Sequence, residues 1–177
     1  MNKQTLKNFG LSLVLAIFLA LSSQITVPLL FVPITCQTLA IGLIATMFGL
    51  NISLESISLY ILMGAFGLPV FAGAHSGIAV IFGTTGGYIW GFLIYAFLVK
   101  FMLHNSKTTL KIGIPILTAA TLQLFIGAAW LMFVAHLTPQ AAIANGVLPF
   151  LVPGAIKIVA IVAVARLFAQ RVPVLYR

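Results

Sequence analysis

Acidic residues are almost missing from this sequence: Glu55 stands alone against nine Lys and Arg, giving a net charge of +8 over 177 residues. No pair of carboxylates is on hand for general acid–base chemistry, and no acidic cluster for a hard cation. Cysteine is as scarce. Cys36 stands alone, so an internal disulfide is excluded, and no metal-ligand spacing surrounds it. Charged residues of either sign fill only 6% of positions and apolar residues 62%, where a soluble domain has about a quarter and a half. A soluble fold of this size has too little polar surface to cover itself, so lipid must solvate most of the chain. Lipid admits only helices or a closed barrel, because unpaired backbone groups cost several kcal/mol there. The apolar runs are continuous rather than alternating, which selects helices. HExxH, GxSxG and Walker signatures are also missing. The chain is therefore read as a non-enzyme that cannot itself drive transport by nucleotide hydrolysis.

What is present is a series of apolar spans. About 20 apolar residues cross a bilayer, and six spans are expected, at residues 9–27, 34–50, 54–66, 83–103, 112–135 and 147–169. They form a single domain over residues 1–177, an all-α bundle of six transmembrane helices with irregular outer loops. Lys3 and Lys7 before the run Phe9 to Leu21 could mark a signal peptide. A first span is preferred, since no clear small-x-small site closes the run and further spans follow. The third span is short, so the glycine-rich segment Gly64 to Gly77 is expected to complete the crossing or to re-enter beside a cavity.

The cations orient the spans. Lys3 and Lys7, then Lys100, Lys107 and Lys111, then Arg166, Arg171 and Arg177 all fall on one side of a six-span chain. The opposite loops, near residues 28–33, 67–82 and 136–146, carry none. The positive-inside rule then predicts a multi-pass protein of the cytoplasmic membrane with both termini cytoplasmic. Short basic clusters flanking spans suit anionic lipid, and no nucleic acid is expected as a partner.

Lys157, the ninth cation, lies about ten residues into the last span. Ten residues rise about 15 Å, beyond the comfortable reach of a snorkelling side chain. A lysine so placed costs a few kcal/mol unless it faces a cavity or partner. With Glu55 at the cytoplasmic side of the third span, an anionic ligand entering from outside would supply the counter-charge. The segments Gly64-Ala-Phe-Gly-Leu-Pro-Val-Phe-Ala-Gly73 and Gly83-Thr-Thr-Gly-Gly-Tyr88 read as a folded loop turning into a helix. Pro149 and Pro153 are expected to break the chain just before Lys157, giving a second irregular outer segment. Thr35, Gln37 and Thr38 follow Pro33 at the start of the second span, and Tyr88 and Trp130 are expected to line an apolar pocket with a few polar contacts. Trp90 is divided evenly between pocket and interfacial belt. His75, His104 and His136 stand at unrelated spacings and are read as solvated, so no metal site is expected.

Four segments together resemble the BioY family, the biotin-specific S components of energy-coupling-factor (ECF) transporters: Pro33-Ile-Thr-Cys-Gln-Thr38, Gly64 to Gly73, Gly83 to Tyr88 with Gly91-Phe92, and Pro149-Phe-Leu-Val-Pro-Gly-Ala-Ile-Lys157. The resemblance runs over essentially the whole chain. It implies a six-helix protein that captures biotin from outside as its transported substrate, needs no cofactor, and joins a transmembrane coupling subunit and two ATPase subunits. The substrate site it implies comprises Thr35, Gln37, Phe71, Gly73, Gly86, Gly87, Tyr88, Trp130 and Lys157. Biotin's apolar body would lie among Phe71, Tyr88 and Trp130, with polar groups of the first and third loops on the ureido ring. Lys157 would pair with the valerate carboxylate or hold a polar network at the pocket wall. Ala16 and Ala20 stand at the Ala-x-x-x-Ala spacing of the family's coupling-subunit face. The chain departs from the family pattern at Ala155, near the place of an acid, and at Thr84, in place of a proline. An S component for another carboxylated vitamin, or a non-transport membrane subunit, are the rival readings.

Overall fold

The computed structural model describes residues 3–103 and 109–171. In chain order they form α1 (Lys3–Gln24), the two-residue strands β1 (Thr26–Val27) and β2 (Ile34–Thr35), α2 (Gln37–Met47), α3 (Leu50–Ala65), a 3-10 turn at Ala72–Ala74, α4 (Ile78–Phe82), α5 (Gly86–Met102), α6 (Thr109–Val134), α7 (Pro139–Gly146) and α8 (Leu148–Arg171). The six expected spans correspond to α1, α2, α3, α5, α6 and α8.

These six helices make an all-α membrane bundle. Its closest packing is α5 on α6 and α1 on α3, with α2 set between α5 and α8. Small residues at the centre, among them Ala16, Ala40, Ala96 and Ala165, pack with Leu19, Ile41, Ile116 and Ile161. Such residues let helix backbones approach closely where dispersion, rather than water exclusion, drives association. Among the described residues, three segments are long and apolar enough to cross a membrane by length and composition: Lys3–Gln24, Thr109–Val134 and Pro139–Phe168. Most of each lies outside the protein core, and apolar surface of that extent calls for lipid.

Three local expectations change. The Gly64 to Gly77 segment, expected to complete a crossing or re-enter beside a cavity, folds back: the Gly77 amide donates to the Gly64 carbonyl at 2.7 Å, so the chain leaves α3 and returns as a closed loop that lines a cavity. Pro149 and Pro153 do not break the last span, because both lie within α8. Pro149 occupies the first turn, where the amide has no helical partner to lose, and Pro153 follows close behind in a helix that remains continuous. The break falls earlier, at Val147 (φ −122°, ψ −57°), between α7 and α8. The stretch 136–146, expected as an outer loop, holds helix α7, whose N-cap Thr138 accepts from the Ala141 amide at 3.3 Å and is followed by Pro139.

The Ala16 and Ala20 pair also differs from expectation. Ala16 is fully buried and Ala20 half-buried against the core of this chain. Their small size serves the seating of α1, and the outward stripe is Leu13, Val14, Ile17, Phe18 and Leu21. Lys3 and Lys7 open α1, Lys100 lies in the last turn of α5 and Lys111 in the first of α6. Arg166 Nη1 donates to Thr109 Oγ1 at 2.7 Å, joining the late turns of α8 to the start of α6. His104, Lys107 and Arg177 lie outside the described residues.

Candidate ligand-binding site

A cavity of about 450 Å³ opens at the end of the bundle opposite these cations. Its walls come from the β1–β2 hairpin, the start of α2, the loop before α4, the start of α5, and α6 and α8. Each wall has a local cause. Thr26 pairs with Thr35 across the hairpin, which fixes the first loop beside α2. In the α3–α4 loop, Gly73 (φ 69°) and Gly77 (φ 94°) take the left-handed turns that fold the chain back on itself. Phe71 is thereby directed inward, 1% exposed, with its ring against Gly64, where any Cβ would collide with it.

One side of the cavity is polar. Lys157 Nζ reaches from α8 to donate to the Thr35 carbonyl at 2.5 Å and to Thr38 Oγ1 at 3.0 Å. Thr35 Oγ1 donates to Gln37 Oε1 at 2.7 Å and accepts from the Gln37 amide at 3.2 Å. Gln37 Nε2 continues the chain to the Tyr60 hydroxyl at 2.5 Å. The Tyr60 ring meets Phe71 edge-on, with centroids 5.5 Å apart at 86°. Glu55 is engaged elsewhere, accepting from Ser12 Oγ at 2.8 Å between α1 and α3. The partners of Lys157 are therefore neutral oxygens, and the cavity keeps a net positive character that favours an anionic group.

The other side is aromatic. Tyr88 lines the cavity and donates from its hydroxyl to the Gly146 carbonyl at 2.7 Å, with Phe150 stacked obliquely at 5.9 Å. Gly127 leaves room for the Tyr88 ring, and Gln123 Nε2 donates to the Tyr88 carbonyl at 3.3 Å. A mostly apolar pocket with a few fixed polar groups suits a small amphipathic molecule.

Of the residues expected at the site, Thr35, Gln37, Phe71, Gly73, Tyr88 and Lys157 come together around this cavity. Gly86, Gly87 and Trp130 do not line it. Trp130 packs behind the wall, donating from Nε1 to the Gly83 carbonyl at 2.9 Å; Gly87 makes room for its side chain, and Gly86 lets the Ile81 carbonyl at the end of α4 approach. Gly87 and Trp130 thus dock α5 onto α6 beside Tyr88. Thr84 Oγ1 donates to the Phe31 carbonyl at 3.0 Å and ties the α4–α5 turn to the first loop. Lining residues not assigned to the site from the sequence include Phe31, in the first outer loop, and Phe92 and Phe150, which stand within the quoted motifs but look like any other apolar residue of a span. His75 also lines the cavity, with Nδ1 2.8 Å from the Ala72 carbonyl.

Residues 1–174 match the sequence profile of the BioY family. The chain belongs to that family. Among its BioY relatives, the biotin transporter BioY2 of Lactococcus lactis subsp. cremoris is 38% identical over 157 residues, covering 87% of this chain and 86% of the relative. The probable biotin transporter BioY of Pyrococcus horikoshii is 38% identical over 154 residues, covering 85% and 90%. The fold is similar to the crystal structure of the S component for biotin from an ECF-type ABC transporter: TM-score 0.86, 25% identity, covering 96% of this chain and 94% of that one. The six-helix BioY architecture expected from the four motifs is thus the architecture of this chain.

Proposed function

We propose that this chain captures biotin for uptake across the cytoplasmic membrane, as the substrate-binding S component of an ECF transporter. The observation that carries the reading is the cavity itself: about 450 Å³, walled by Phe71 and Tyr88, with Lys157 on its polar side and no carboxylate partner for that lysine among its hydrogen bonds. A bicyclic ureido body with a carboxylate tail matches both walls. In this reading the apolar rings lie between Phe71 and Tyr88, the hairpin and the α3–α4 loop meet the ureido group, and Lys157 faces the carboxylate or braces the Thr35–Thr38 wall beside it. Gly73 gives the loop its close approach to the ligand, while Gly86, Gly87 and Trp130 act from behind the wall.

The cations at the opposite end, Lys3, Lys7, Lys100, Lys111 and Arg166 among the described residues, support a cytoplasmic location for both termini and an outward-opening cavity. The chain binds and passes on its substrate rather than transforming it, with biotin as cargo and not cofactor. Its partners are a transmembrane coupling subunit, two ATPase subunits that supply the energy, and membrane lipids. The deciding experiment is a biotin titration of the purified protein in detergent, alongside a panel of other carboxylated vitamins. Saturable biotin binding with a thermal shift is expected; ligand at 100 times its Kd adds about 2.7 kcal/mol. Binding of another vitamin with biotin inert would overturn the biotin assignment, and no response to any ligand would favour a purely structural subunit.

A further inference from the structure

α1 ends in a side-chain clamp on the cavity wall. The two N–H groups of Gln24 Nε2 are shared among the Phe71 carbonyl at 3.1 Å, the Val70 carbonyl at 3.4 Å and, within α1, Ser23 Oγ at 2.7 Å and the Ala20 carbonyl at 3.2 Å, while Gln24 Oε1 accepts from the Ala74 amide at 2.9 Å. Ser23 Oγ shares its hydrogen between the same Val70 carbonyl at 2.5 Å and the Ala20 carbonyl at 2.6 Å, and accepts from Gln24 Nε2 at 2.7 Å. One primary amide therefore holds backbone groups on both sides of the 3-10 turn. Gly73 in that turn and Phe71 and His75 on either side of it line the cavity.

The turn needs such a tie. Ala74 sits at φ 59°, a left-handed conformation that its Cβ opposes, and its amide is the group Gln24 accepts from. The Phe71 amide closes the turn internally on the His75 carbonyl at 3.0 Å. Apart from the Phe71 ring seated at Gly64, the polar attachment of this wall to a helix comes from Gln24 and Ser23.

We infer that Gln24, supported by Ser23, is a positioning residue for ligand retention: it holds the wall formed by residues 70–75 over the cavity, and the rate at which bound ligand leaves depends on it. The inference rests on the biotin reading above. Because the clamp belongs to the last turn of α1, a displacement of α1 carries the cavity wall with it.

The test measures association and dissociation of labelled biotin separately on the purified full chain. Gln24→Leu, similar in volume, is expected to speed dissociation about tenfold, which is about 1.4 kcal/mol, and to leave association within about twofold. Ser23→Ala moves dissociation in the same direction by a smaller factor. Adding Ala74→Gly to Gln24→Leu slows dissociation again, since glycine keeps the positive φ without the bond. A general packing defect would instead impair both rates and show no rescue by Ala74→Gly, and that result overturns the inference, as does wild-type dissociation in both single variants. Should Gln24→Leu fail to fold, Ser23→Ala decides. Should the wild-type chain not bind biotin, the biotin reading fails by itself. Hydrogen exchange at the Ala74 amide then decides the clamp, with faster exchange in Gln24→Leu upholding it and unchanged exchange overturning it.

Discussion

Lys157 Nζ donates to the carbonyl of Thr35, 122 residues away in sequence, and so joins the last helix to the strand that precedes the second. The bond draws a charge to neutral oxygens at the edge of a cavity. Lys157→Met keeps much of the side chain and removes the donors. A charge-assisted bond contributes about 1.5–3 kcal/mol, so biotin affinity should fall by roughly tenfold or more. Isothermal titration of a folded variant checks this, and an unchanged Kd would remove Lys157 from the site.

Gly64 is the seat of Phe71. A methyl group there meets the phenyl ring at once, and overpacking of this kind costs about 1–3 kcal/mol. Gly64→Ala should therefore lower both the melting temperature in detergent and the affinity for biotin. Gly10, with nothing within 4 Å of a Cβ, is the control: in mid-helix, Gly10→Ala should be neutral or stabilise by up to about 1 kcal/mol. Equal melting of the two variants would contradict the packing described for Phe71.

The Gln37–Tyr60 bond links the polar side of the cavity to the aromatic that supports Phe71. Removing the Tyr60 hydroxyl leaves Gln37 Nε2 buried without this partner, and removing Gln37 leaves the Tyr60 hydroxyl with Ser23; loss of a buried partner costs about 1–3 kcal/mol. Gln37→Leu and Tyr60→Phe should each destabilise the fold, and the double variant should cost less than their sum. A double-mutant cycle on unfolding in detergent measures the coupling, and strict additivity would mean that the bond contributes nothing.

The helices and the cavity were legible in the sequence to different degrees. Long apolar runs and sparse charges are dictated by lipid as solvent, so all six major helices could be placed before any coordinates. The motif around Gly64 and Gly83 marked the walls that hold Phe71 and Tyr88. Trp130 was harder, because an aromatic near a glycine pair reads the same whether it lines a pocket or braces one, and only the direction of its indole toward the Gly83 carbonyl decides. Pro153 misled because its helix-breaking tendency in water is weakened where neighbouring helices support the backbone. Ala16 carried a spacing without a direction, and the bundle turned that side of α1 inward. Gln24 gave no signal at all, since its partners are backbone groups some 50 positions away.

Orientation is open to direct measurement. In a Cys36→Ser background, Leu30→Cys places a thiol on the first loop, where Leu30 is 82% exposed, and Lys3→Cys places one at the start of α1. A membrane-impermeant maleimide should label the first in intact cells and the second only after permeabilisation. The reverse pattern would invert the protein.

The loop that begins and ends at Gly64 has a consequence for how this chain can diversify. Its two ends, Gly64 and Gly77, are already bonded to each other, so exchanges at exposed positions inside the ring, such as Phe66 and Leu68, should displace α3 and α5 little. The ring is thus divided: its exposed positions can vary while the helical frame stays fixed, and Phe71, whose side chain belongs to the core, cannot.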